Sequence, residues 1–247
     1  MNRPLWTQLL TELSCPAWPC PTCKKGTVAL APKSLVYKET VESRRAHDEE
    51  DWNPDWITYT FTAWGRCGHP SCGQDFAIAG FGGQDRVEGS DGGYEWELYF
   101  SPTFCRPMPD IFDFPSECPD GVKEELRSAF TLFRSHRAAC AGRIRVALEC
   151  LMSHLGVPKK QKDKHGKYFA LRLHQRINAF SKNEPTVASQ LMALKWLGNS
   201  GSHDSEVTQN DLLDAFEIME HCLGEIIDRR AARVAALAKK LTKKHGR

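Results

Sequence analysis

The residues best placed to do chemistry are two close pairs of cysteines. Cys20 and Cys23 stand in Trp18-Pro-Cys-Pro-Thr-Cys23, and Cys67 and Cys72 in Arg66-Cys-Gly-His-Pro-Ser-Cys-Gly73. Two thiolates at C-x2-C spacing can face one ion across a tight turn, and a second pair completes a tetrahedral set. Four thiolates at about 2.3 Å leave no open position, so the expectation is a closed structural zinc site, not a catalytic one. His69 or Cys15 could replace one of the four ligands. The gap of 43 residues between the pairs is longer than in the usual zinc ribbon, so a strand pair and the acidic stretch His47 to Asp55 must be inserted there. Cys105, Cys118, Cys140, Cys150 and Cys222 have no partner at ligand spacing and are expected as core thiols.

Composition divides the chain near Pro115. Before it, Gly, Pro and aromatic residues are dense, and Trp56–Trp64, Phe76–Phe81 and Tyr94–Phe100 alternate on the two-residue period of half-buried strands. Gly82-Gly83 and Asp91-Gly-Gly93 read as turns, Val28 to Tyr37 as a weaker strand, and residues 101–116 as a Pro-rich connector. After it the period becomes helical. Val122, Leu126, Phe130 and Phe133 share one face after Pro119, and Ile144, Leu148, Leu151 and Leu155 share another over about 138–156. Residues 158–166 read as a basic flexible loop, followed by helices over about 167–181 and from Pro185. Gly198 and Gly201 break or cap the latter. Thr208 and Asp211 form a capping-box pattern for a long last helix that thins to a basic tail. The expected fold class is α+β: a β-rich, zinc-ribbon-like module over 1–116 and an all-α bundle over 117–247.

Three segments of the second half stand out: Ala138 to Leu151, Leu173-His-Gln-Arg-Ile177 and Leu194-Lys-Trp-Leu-Gly-Asn-Ser-Gly-Ser-His203. In this order, followed by Asp211-Leu-Leu-Asp-Ala215, they resemble the DUF4145 family. The Trp-Pro-Cys-Pro-x-Cys knuckle and the Tyr99 to Pro119 stretch resemble its full-length members. That family resembles the wider HEPN group of small helical bundles, many of them dimeric, metal-independent endoribonucleases. The resemblance implies a polar site at Lys195, Asn199 and His203. His203 would exchange a proton during attack of an RNA 2′-hydroxyl on the adjacent phosphate. Lys195 or Arg145 would steady charge on the phosphate, and Asn199 would hold the scissile group. Lys195 stands where the family usually has Arg, and an ammonium cannot form the planar bidentate fork of a guanidinium. Arg145 and Glu149 share a helical face at i,i+4 and could orient the site or simply pair with each other. His174 and Arg176 read as a solvated face, and Trp196 as core.

Charge supports the same division. Residues 1–116 carry 10 Lys+Arg against 16 Asp+Glu, net −6, and residues 117–247 carry 23 against 15, net +8. The basic half suits a polyanion, whereas the acidic half has the wrong sign for DNA binding through the zinc module. No Gly-rich phosphate loop is present. The amino-terminal segment lacks the apolar stretch of a signal peptide, no window approaches a membrane span, and ten cysteines without an export signal fit a reducing compartment. A cytoplasmic protein with no membrane contact is therefore expected, with RNA as partner and a homodimer through the helical domain. Its function is expected to be RNA binding or cleavage in a prokaryotic defence or stress setting. The alternative is a noncatalytic scaffold docking on another defence or restriction component.

Overall fold

The computed structural model of the chain describes residues 1–88, 92–200 and 206–246, the side chains of Asn199 and Ser200 excepted. The chain forms two compact units, Asn2–Asp110 and Ile111–Arg247, the latter with Met1. Together they give an α+β protein. No described helix is long and apolar enough to cross a membrane.

The first unit is a curled antiparallel sheet. Its elements are α1 (Pro4–Thr7), β1 (Val28–Leu30), β2 (Val36–Glu39), α2 (Val41–Ala46), β3 (Thr58–Cys67), β4 (Asp75–Glu88) and β5 (Tyr94–Arg106). β3, β4 and β5 form a meander, while β1 and β2 lie one after the other along the outer edge of β3. Alternation puts Phe61, Ala63, Phe76, Ile78, Phe100 and Cys105 on the buried face, together with Trp6, Leu10, Trp18 and Val28. Trp6 and Trp18 stack at 6.3 Å, and Leu10 bridges to Phe100.

Three expectations for this unit need correction. Gly82-Gly83 is no turn but the middle of β4: added Cβ atoms there would lie 2.6 Å from the Phe100 ring and 2.6 Å from the Tyr99 hydroxyl. The glycines make room for the rings of the neighbouring strand. Residues 101–106 are not connector but the end of β5, reached through a bulge opposite Ala79 and Gly80. Val28 to Tyr37 is not one strand but two, β1 and β2, with residues 31–35 between them; the insertion between the cysteine pairs also carries α2, which Thr40 caps by accepting from the Ser43 amide.

The second unit comprises α3 (Asp120–Leu132), α4 (Arg137–His154), a hairpin of β6 (Lys160–Lys162) and β7 (Tyr168–Ala170), α5 (Leu173–Phe180), α6 (Pro185–Ser200), α7 (Gln209–Ile226) and α8 (Arg230–His245). The basic loop is thus a hairpin, and the third helix starts at Leu173. The basic tail is a full helix, set off from α7 by Arg229 in the left-handed region. Leu126, Ile144, Leu148, Leu151, Leu191, Leu212, Met219 and Leu223 are fully buried. Phe112, Phe130, Phe133 and Phe216 form an aromatic cluster with ring centroids 5.1–6.5 Å apart. The Thr208–Asp211 capping box forms as its spacing implies. Gly198 does not cap α6 but lies within it.

Candidate functional site

In the first unit the sulfurs of Cys20, Cys23, Cys67 and Cys72 all lie within 4.8 Å of one another. Cys20 and Cys72 are 3.8 Å apart, and Cys23 and Cys67 3.7 Å. A tetrahedron with metal–sulfur bonds of about 2.3 Å has edges of about 3.8 Å, so the donor set fits a four-thiolate metal centre. The Gly26 amide donates to Cys23 and the His69 amide to Cys67, both at 3.4 Å. A Cβ on Gly26 would come within 2.5 Å of the Cys67 sulfur, so only glycine lets the two knuckles meet. Backbone amides of Lys25 and Gly26 draw the Cys23 thiol down to about 6. The His69 amide also pulls on Cys67, but burial and the neighbouring sulfurs outweigh it and push that thiol up to about 12. One thiol thus ionises easily and makes the next harder to ionise, a conflict that a cation resolves.

Neither alternative ligand joins the group. The His69 ring hydrogen-bonds Ser71 at 3.0 Å, and the Cys15 thiol donates to the Val28 carbonyl at 3.5 Å. Cys105, Cys118, Cys140 and Cys222 are buried. Burial pushes Cys140 and Cys222 up to about 12, which makes them inert packing groups.

In the second unit a polar cleft of about 290 Å³ is lined by Arg145 and Glu149 from α4, Leu171 and Arg172 from the turn before α5, Leu173, His174 and Arg176 from α5, and Lys195 from α6. Arg145, Glu149 and Lys195 therefore line one cleft. Asn199 lies in the last turn of α6, its side chain outside the described set, and His203 falls outside the described residues. Arg145 Nε stands 3.8 Å from Glu149 Oε1, a long and half-exposed pair. Lys195 is only 6% exposed, with its ammonium 3.3 Å from the centroid of the Trp196 ring. Desolvation, then the nearby Arg145 charge, lowers the Lys195 pKa. Trp196 is not core but 58% exposed.

Three cleft residues were not foreseen. Arg176 is 5% exposed rather than solvated. Its guanidinium donates to the Glu149 carbonyl at 3.2 Å, the Ser153 hydroxyl at 3.0 Å and the Val157 carbonyl at 3.1 Å, fastening α5 to the end of α4. Its Nε–H is buried without a partner among the described residues. Arg172 and His174 flank the start of α5, where the Gln175 side chain accepts from the Arg172 amide at 2.8 Å. The first amides of a helix have no intrahelical acceptor and carry the positive end of its dipole, so the cleft sits at a natural anion seat. Among the described residues, four cations line it against one carboxylate.

α4 and α6 touch at Gly198, where an added Cβ would lie 2.7 Å from the Arg145 Cβ and 3.1 Å from the Ala141 carbonyl. Gly198 therefore sets how near Arg145 comes to Lys195.

Residues 127–244 match the model of DUF4145, a domain family of unknown function. Residues 8–107 match a second family of unknown function, DUF8608. No curated protein and no solved structure matches the chain.

Proposed function

We propose that the second unit is a HEPN-like domain that binds RNA through the cationic cleft, and that the first is a zinc-ribbon-like module organised by a structural zinc ion. The observation that carries the RNA reading is the convergence of Arg145, Arg172, Arg176 and Lys195 at the amino terminus of α5. Phosphate oxygens match that arrangement in charge and in hydrogen-bonding capacity. Holding Lys195 largely out of water strengthens its attraction for a phosphate. In the cleavage version, Arg145 and Lys195 steady the phosphate, Asn199 holds the scissile group and His203 handles the 2′-hydroxyl proton, with Glu149 orienting Arg145.

The test is binding of labelled RNA to the full chain, followed by incubation of RNA with the chain in EDTA. Lys195→Ala should weaken binding roughly tenfold or more. Cleavage that survives EDTA and disappears in His203→Ala would support the endoribonuclease version. RNA bound but left intact would reduce the function to binding, and no binding at all would remove the reading.

One observation favours the scaffold alternative. α8 exposes Val234, Leu237 and Leu241, a stripe at helical spacing that suits a second copy or another protein of a defence system. Light scattering that reports a dimer, lost in Leu237→Asp, would support that version.

A further inference from the structure

The outer face of the first unit's sheet is arranged for flat rings. Three well-exposed aromatic side chains stand on it: Trp64 on β3 and Phe81 on β4, each 56% exposed, and Phe104 on β5, 49% exposed; the less exposed Tyr99 shares the face one row beyond Phe81, opposite Gly83. Register sets them in three successive rows. Trp64 lies beside Ala77 and then Arg106; Thr62 beside Ala79 and then Phe104; Thr60 beside Phe81 and then Ser101. β2 extends two of these rows, placing Val36 next to Thr62 and Lys38 next to Thr60. Each ring thus has small cross-strand neighbours, and rows are about 7 Å apart along the strands. The aromatics are separate platforms, not one packed cluster.

The charge on this face departs from that of its unit. Lys38, Arg66 and Arg106 are the cations, and the one acid among these rows and the next, Asp75, is held by Arg66 through hydrogen bonds of 2.7 and 3.3 Å. Carboxylates begin past Gly83, at Asp85, Glu95 and Glu97 on the projecting hairpin. The unit's negative balance therefore lies elsewhere, in stretches such as His47 to Asp55. Both outer aromatic rows carry a cation.

We propose that this face binds single-stranded nucleic acid, with bases stacked on Trp64, Phe104 and Phe81 and backbone phosphates drawn to Lys38 and Arg106. Unpaired bases offer π-faces to such rings, whereas a duplex hides them. An apolar protein partner would use the rings but not the cations, and a second copy would set like charges against each other. The inference concerns a different unit from the cleft and does not rest on it.

The test is fluorescence anisotropy of the metal-loaded full chain with labelled oligouridylate, oligothymidylate and a duplex of equal length. Wild type should bind the single strands in preference to the duplex. Trp64→Ala and Phe104→Ala should each weaken single-strand binding roughly 5- to 100-fold, with Trp64→Phe close to wild type. Metal content and circular dichroism check the fold, and Phe81→Ala gives the same reading should Trp64→Ala lose its metal. Unchanged affinity in folded aromatic variants would overturn the proposal, and so would preference for the duplex or failure of wild type to bind. So would a concentration-dependent dimer that the same variants abolish while oligonucleotide binding persists. Lys195→Ala in the same assay separates the two sites. A loss there beside normal Trp64→Ala binding leaves the cleft standing without the platform, and the reverse leaves the platform without the cleft.

Discussion

Lys195 is buried because it sits four residues after Leu191 and three before Gly198, on the stripe that α6 turns toward α4. Trp196, one residue on, points away. A helical period read from Val187, Leu191 and Leu194 implies this placement, but hydrophobicity alone assigns the tryptophan to the core and the lysine to water. Arg176 escaped for the same reason: it lies between Leu173 and Ile177, both buried, and its stem packs with them while its head finds carbonyls. Arg176→Ala should lower stability by about 2–3 kcal/mol in urea denaturation, since it strands buried acceptors at the end of α4. A change under 0.5 kcal/mol would mean the guanidinium is not a clamp. The cysteines were legible from type and spacing, because thiolate pairs beside Gly and Pro have few other uses. Cys67→Ser should reduce bound metal from one equivalent per chain to near none. Thiolates must lose their protons to bind, and Cys23 is protonated below about 6, so chelators should strip the metal more readily as pH falls from 7 toward 5. Metal retained equally at both pH values would argue against thiolate ligation.

Strands and helices announced themselves where periodicity was uninterrupted, as in β3 and α7. Glycine misled twice, because the same residue that opens a turn also lets two elements approach. Gly82 and Gly83 yield to aromatic rings from β5, and Gly198 to the Arg145 side chain from α4. Neither partner is near in sequence, so no local pattern carries the signal. Gly198→Ala separates the two roles. Within an isolated helix the change would gain about 1 kcal/mol. Here the new methyl group must push α4 away, and a net loss of about 1–3 kcal/mol is expected by thermal or urea unfolding, with weaker RNA binding as Arg145 moves. A stabilised protein would show that α4 and α6 have room to spare. The β6–β7 hairpin was missed because strands of three residues, all exposed, carry no apolar alternation.

Across the whole molecule the opposite charges of the two halves are real, but net charge describes a unit and not its faces. The acidic half carries a cation-bearing aromatic sheet face, and the basic half concentrates four cations around one cleft. The central claim is that this cleft holds RNA phosphates. Its most direct test is the salt dependence of RNA affinity for wild type and for the Arg145→Ala, Lys195→Ala double variant. Each phosphate contact on a single strand contributes about 0.7 to the slope of log K against log salt. Loss of two contacts should make the slope shallower by about 1.4, with the variant's fold and metal content intact. Parallel lines with equal intercepts would place the RNA elsewhere and contradict the account.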